Sequence, residues 1–110
     1  MAKQSLGEFE HQVLLAALRL GEDAYSAAIV LELETRAGRE VATAAVYIAL
    51  RRLEEAGLVT STISGHAAAG GRRERRYFHV TDQGIDLLRA SREQLLRLWS
   101  GIEPLLGSAR

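Results

Sequence analysis

The chain has 110 residues, with 14 Lys+Arg against 14 Asp+Glu, 47% hydrophobic residues and no Cys. That length suits one domain with a small core and no deep enclosed active site, and the missing Cys and short apolar runs exclude disulfide frameworks, thiolate chemistry and membrane-spanning segments. The zero net charge is a sum of opposites: residues 1–35 hold Lys3 and Arg19 against six carboxylates (−4), residues 36–80 hold eight arginines against four glutamates (+4), and residues 81–110 balance.

Residues 6–20 carry Leu6, Phe9, Val13, Ala17 and Leu20 at the spacing of a helical stripe. Leu14, Leu15 and Leu18 widen that stripe until the helix is apolar almost all round, which makes it central to the fold or shared with a partner. Gly21 ends it. A second helix is expected over Ser26–Ala37, with Ser26 as its N-cap and Gly38 just beyond its C-terminus. Residues 41–56 form a third, with Val46, Ala49, Leu50 and Leu53 on one face. Ala44, Ile48, Arg51 and Glu55 lie on the other face, flanked by Tyr47 and Arg52, and Gly57 terminates the helix.

The β-branched run at 58–63 and the segment Arg75-Arg-Tyr-Phe-His-Val80 read as two strands of a hairpin. A small, Gly-rich tip at 64–73 joins them. Thr81 is the expected N-cap of a last helix running over 82–106, about 37 Å if unbroken, with Gly101 and Pro104 kinking or fraying its end. Its stripe of Ile85, Leu88, Leu95, Trp99, Ile102 and Leu106 is longer than three helices and a hairpin can cover, so a second copy of the chain is the expected cover.

The order of helix, helix, helix, strand, basic loop and strand is that of a winged helix-turn-helix: mainly α with a small β-hairpin wing, an α+β fold. Residues 1–80 form the expected DNA-binding domain, and residues 81–110 a dimerisation helix of the same unit. A recognition helix must bring its backbone close to base edges in a major groove about 12 Å wide, which calls for small residues in its first turn. Ala42, Thr43, Ala44 and Ala45 meet that demand. Tyr47 and Arg51, one turn apart, can bond phosphate or a guanine edge, and Ile48 could pack on a thymine methyl or simply be exposed. Arg72, Arg73, Arg75 and Arg76 would meet the flanking backbone from the wing and release counterions there.

Three blocks carry a family resemblance: Leu6-Gly-Glu-Phe-Glu10, Val41-Ala-Thr-Ala-Ala-Val-Tyr-Ile-Ala-Leu-Arg-Arg-Leu-Glu-Glu-Ala-Gly-Leu-Val59, and Arg75-Arg-Tyr-Phe-His-Val-Thr-Asp-Gln-Gly84. In this order and spacing the chain resembles PadR-like transcriptional regulators, in their compact branch with one C-terminal helix. The resemblance implies a homodimeric bacterial repressor of double-stranded DNA, joined through its first and last helices and bound to a pseudo-palindromic operator. The expected interface residues are Leu6, Phe9, Val13, Leu95, Trp99, Ile102 and Leu106. It also implies that a small hydrophobic effector can release such repressors; Trp99 would line its cavity or pack inside the dimer. Where the family usually has Ser, this chain has Ala42, and Thr43 is the expected replacement cap.

The alternative is a winged helix used for protein contacts, which would lack salt-sensitive DNA affinity. Catalysis is not expected, since no phosphate loop follows a strand and His11, His66 and His79 lie on different elements. The Glu8–His11 spacing is too slight a signal for a metal site, so no metal and no cofactor are expected. The first residues lead into no apolar signal segment, and a cytoplasmic protein without membrane contact is the expectation.

Overall fold

The computed structural model describes residues 6–64 and 74–107. Helices α1 (Glu8–Leu20), α2 (Ser26–Ala37) and α3 (Thr43–Glu55) precede strands β1 (Val59–Ser64) and β2 (Arg75–Val80), and helix α4 (Asp82–Trp99) comes last. One-turn 3-10 segments lie at Gly21–Asp23 and Glu103–Leu106. The strands pair antiparallel, with Val59 opposite Val80, Ser61 opposite Phe78 and Ile63 opposite Arg76. Four helices and a two-stranded wing thus form the expected mainly-α winged helix-turn-helix.

The core joins one face of each element. Val13 and Leu14 of α1, Ile29 and Leu33 of α2, and Val46, Leu50 and Leu53 of α3 surround Leu58, Val59 and Phe78 of the wing base. Phe78 is fully enclosed. Its backbone N–H donates to the Ala24 carbonyl at 2.8 Å, so the segment before α2 lies along β2 as a short third rung.

Several boundaries differ from expectation. Tyr25, not Ser26, is the N-cap of α2. Thr43 does not replace the missing serine cap of α3: it is the first helical residue, and Ala42 at the N-cap has no side-chain oxygen to offer. The last helix is shorter than its periodicity implied. It ends at Trp99, about 27 Å after its start at 1.5 Å per residue. A turn through Gly101, at φ 88°, leads to the short Glu103–Leu106 segment. Val13, expected at a partner interface, lies wholly inside the chain's own core, because α1 packs against α2, α3 and β2 on more than one side.

The wing and α4 meet at a bonded corner. Gly57, at φ 82°, turns the chain out of α3 while Leu58 N–H donates to the Leu53 carbonyl at 2.9 Å. Thr81 caps α4 as expected, its hydroxyl accepting from Gly84 N–H at 3.0 Å and donating to the Gly57 carbonyl at 2.8 Å. Gly84 allows the close approach. A Cβ there would press on the Leu58 carbonyl oxygen and lie 2.8 Å from Val80 Cγ1. Gly84→Ala is therefore expected to destabilise the protein by about 1–3 kcal/mol, although alanine is the better helix former by about 1 kcal/mol. A lower urea midpoint at unchanged slope is the expected readout.

Candidate nucleic-acid interface

Helix α3 presents its outer face as its sequence demands. Thr43, Ala44 and Ala45 in the first turn are exposed and small, and no side chain caps that turn at Ala42. The helix N-terminus, with its partial positive charge, is thus open to an anion. Ile48 lies further along the same side, 52% exposed, and carries a bare apolar surface in the middle of the helix.

Tyr47 is the hub of the polar part. Its ring stands edge-on to buried Phe78, with centroids 6.2 Å apart, so the core fixes its direction. Its hydroxyl accepts from Arg51 Nη1 at 3.0 Å, which leaves the phenolic O–H to donate outward. That bond pulls the phenol below its ordinary pKa, with further help from the charges of Arg51 and Arg76. The same bond, read from Arg51, raises the guanidinium's pKa. One hydroxyl and two guanidinium groups from α3 and β2 are therefore neighbours, a constellation suited to a phosphate.

Glu54 and Ser61 complete the cluster, and neither was expected as a site residue. Ser61 Oγ donates to Glu54 Oε2 at 2.7 Å and accepts from Arg76 Nη1 at 2.9 Å. Glu54 Oε1 lies 3.4 Å from Arg51 Nε, an ionic contact without hydrogen-bond geometry. The i, i+3 spacing of Arg51 and Glu54 was a legible signal for the first contact. The link to Ser61 depends on strand pairing.

The wing arginines do not share one surface. Adjacent strand residues point to opposite faces, so Arg76 joins the α3 cluster while Arg75 turns away from it. Arg75 stacks on the Tyr25 ring, 4.2 Å from its centroid, and Tyr25 in turn meets Tyr77 edge-on at 5.6 Å. A hydrogen bond with Tyr77 and the neighbouring Tyr25 raise the Arg75 pKa. Arg72 and Arg73 lie outside the described residues. Two other arginines of the basic third are engaged elsewhere. Arg39 packs over Phe9 at 5.0 Å and donates to Gln12 Oε1 at 3.0 Å, and Arg36 pairs with Glu32 at 2.7 Å.

A second feature lies between α1 and α4. A groove of about 500 Å³ is walled by Leu15 and Leu18 of α1 and by Ile85, Leu88, Leu95, Leu96 and Trp99 of α4. His11 Nδ1 and Ser91 Oγ, 3.1 Å apart, tie the two helices at one side of it. Beyond Ser91 the chain leaves its core altogether: residues 92–107 are all exposed. Among the expected interface residues, Leu95, Trp99, Ile102 and Leu106 belong to this exposed arm, while Leu6 and Phe9 are half-buried against the chain's own core.

The family model of the transcriptional regulator PadR-like family matches residues 14–90, which spans the helix-turn-helix, the wing and the first half of α4. The chain belongs to the PadR-like family. It is similar in structure to the PadR family transcriptional regulator from Eggerthella lenta DSM 2243, at 33% identity and a TM-score of 0.67 over 88% of this chain and 82% of that one. It also shares the fold of a PadR-like regulator from Bacillus cereus, at 21% identity and a TM-score of 0.71 over 92% and 93%. Bacillus subtilis PadR, solved in complex with operator DNA, matches at 21% identity and a TM-score of 0.64 over 76% of this chain and 45% of that one. No functionally curated protein matches the chain. The PadR-like family is one of transcription regulators, not of enzymes, and no described helix of this PadR-like chain is long and apolar enough to cross a membrane.

Proposed function

We infer that this PadR-like regulator is a cytoplasmic, homodimeric repressor that binds a pseudo-palindromic operator in double-stranded DNA. The observation that carries the reading is the convergence of Tyr47, Arg51 and Arg76 along the exposed side of α3, the helix whose N-terminus no side chain caps. Residues 1–80 read the DNA, with Thr43, Ala44 and Ile48 toward base edges and Tyr47, Arg51 and Arg76 on the backbone. Arg72 and Arg73 of the wing are the further candidates for the backbone, whereas Arg75, stacked on Tyr25 on the opposite strand face, is left out of this contact set. Residues 81–110 join two copies, and the two α3 helices then enter successive major grooves about 34–36 Å apart. The known complex of Bacillus subtilis PadR with operator DNA supports this use of the fold.

The exposed arm supports the dimer. Isolated helices of this length are marginal in water, and none of residues 92–107 is more than partly covered within its own chain. A second copy laid along Leu15, Leu18, Leu95, Leu96 and Trp99 would remove that surface from water. A small hydrophobic effector would compete for the same walls and shift the two reading heads.

Fluorescence anisotropy tests the reading, with a duplex from the gene's own upstream region and a scrambled duplex at two salt concentrations. Equal, negligible binding to both would remove it and favour a protein-binding winged helix. Each arginine that neutralises a phosphate contributes about 0.9 to the slope of log K against log salt. Arg51→Ala with Arg76→Ala, present twice in a dimer, is therefore expected to flatten that slope by about 3.6.

A further inference from the structure

We propose that Glu54 and Ser61 form a clamp that locks the wing to the recognition helix, so that discrimination between DNA sequences, rather than strength of binding, depends on these two residues. The proposal rests on the DNA-binding reading above and gives the site a part that residue types alone do not suggest.

The chemistry begins with a conflict. Arg51 and Arg76 come from different elements, α3 and β2, yet both approach the Tyr47 hydroxyl. Two cations so placed repel each other unless an anion lies between them. Glu54 supplies it. One carboxylate oxygen faces Arg51 directly, and the other is reached from Arg76 through the Ser61 hydroxyl. Ser61 has one proton, committed to Glu54, and its lone pairs receive Arg76. It therefore relays the charge and at the same time fixes β1 against the end of α3. The side chain of Glu54 is 29% exposed and Ser61 is half-buried, so water screens these bonds less than it does a fully exposed pair.

A carboxylate within a phosphate-binding patch weakens the attraction to any duplex. What Glu54 adds is geometry: the angle of the wing to α3, and hence which phosphates Arg51 and Arg76 reach when α3 is seated on a given base sequence. The competing account is an ordinary i, i+3 surface pair between Arg51 and Glu54, which contributes little. The two accounts differ in sign. If Glu54 is only a surface charge, Glu54→Gln raises affinity for every duplex alike. If it is a clamp, the gain falls on non-specific DNA while the preferred duplex loses ground.

The experiment uses the full-length chain and two probes: a random 30-bp duplex pool, and the duplex that the wild-type chain enriches from it. Anisotropy at one salt concentration yields the ratio of the two affinities. That ratio is expected to fall about tenfold in Glu54→Gln and in Ser61→Ala, on the scale of one mismatched base pair. Ser61→Thr, which keeps the hydroxyl, should restore it. A DNA-independent measurement accompanies this, the titration of Tyr47 by NMR with ring-labelled tyrosine. Arg51 chiefly, and Arg76 in addition, hold the phenol low, so freeing Arg76 from its bond to Ser61 in Ser61→Ala should shift the Tyr47 titration from its wild-type position. An unchanged affinity ratio in the folded variants, or an unmoved Tyr47 titration, overturns the clamp. If the wild type enriches no duplex, the DNA-binding reading itself falls, and the Tyr47 titration alone decides whether the clamp exists.

Discussion

Phe78→Ala is expected to cost about 3–5 kcal/mol of folding stability, the usual range for a buried phenylalanine truncated to alanine. With total stabilities of about 5–15 kcal/mol for native proteins, such a loss brings the chain near its threshold. The reason is position as well as size. Phe78 is fully buried in a core cluster to which all four helices contribute. It is also where β2 meets the segment before α2, through its N–H bond to Ala24. The cavity left by the ring would be lined by elements already tied at both ends, which limits collapse. Urea unfolding at fixed protein concentration measures the effect as a lowered midpoint; fixed concentration matters because a dimer's apparent stability depends on mass action. Phe78→Leu, which keeps most of the volume, should cost much less. A loss below about 1 kcal/mol for the alanine variant would show that Phe78 does not anchor the core in this way.

The second large effect concerns assembly. Leu96→Glu is expected to convert the proposed dimer to monomer. In the single chain Leu96 is half-exposed on the groove wall, so a carboxylate there stays in water and costs the fold little. Against a partner helix the same carboxylate would be desolvated without a counter-ion, a cost of several kcal/mol. Sedimentation equilibrium should report the monomer mass with an unaltered circular dichroism spectrum. Loss of the second reading head should also lower operator affinity by about 10²–10⁴-fold, the gain usually obtained from linking two binding modules. Leu96→Met is the control and should remain dimeric. A Leu96→Glu chain that stays dimeric would place the interface elsewhere.

Period and punctuation make most of this fold legible in its sequence. Apolar spacing located α1, α2, α3 and the start of α4, and Gly38 and Gly57 marked the ends of α2 and α3. Thr81 was readable as a cap because a hydroxyl before an acidic first turn satisfies a free N–H. The end of α4 was readable only in part: Gly101 and Pro104 mark where the helix should kink or fray, and it stops at Trp99, but the spacing alone runs on to 106. The 3.6-residue rhythm of leucines continues through 102–106, but Gly101 takes a positive φ that breaks the helix without breaking the rhythm. Val13 misled for a related reason. When a helix is buried on more than one side, the stripe alone does not say which side a partner would see. The site was partly legible. Tyr47 and Arg51 emerge from helical spacing, whereas the cluster of wing arginines reads as one patch until strand alternation sends Arg75 and Arg76 to opposite faces. Ser61 carries no signal at all in isolation; it becomes informative only once β1 is laid beside β2 and below the end of α3.

The corner at Thr81 has a mechanical meaning. Its hydroxyl holds the carbonyl before the wing and the first turn of α4 together, and Gly84 lets the helix rest directly on the Leu58 carbonyl. Tied at that elbow by two hydrogen bonds and a close packing contact, α4 extends from the wing base as an arm that would carry a tilt into the proposed reading head. For an arm of about 27 Å, a 10° swing displaces the far end by about 5 Å. In a two-fold assembly the converse holds, and a small tilt between paired arms shifts the separation of the two heads by more than the rise of one base pair. If the proposed dimer is built on such an elbow, a tilt between its arms is enough to lose register on DNA, with no rearrangement inside either copy.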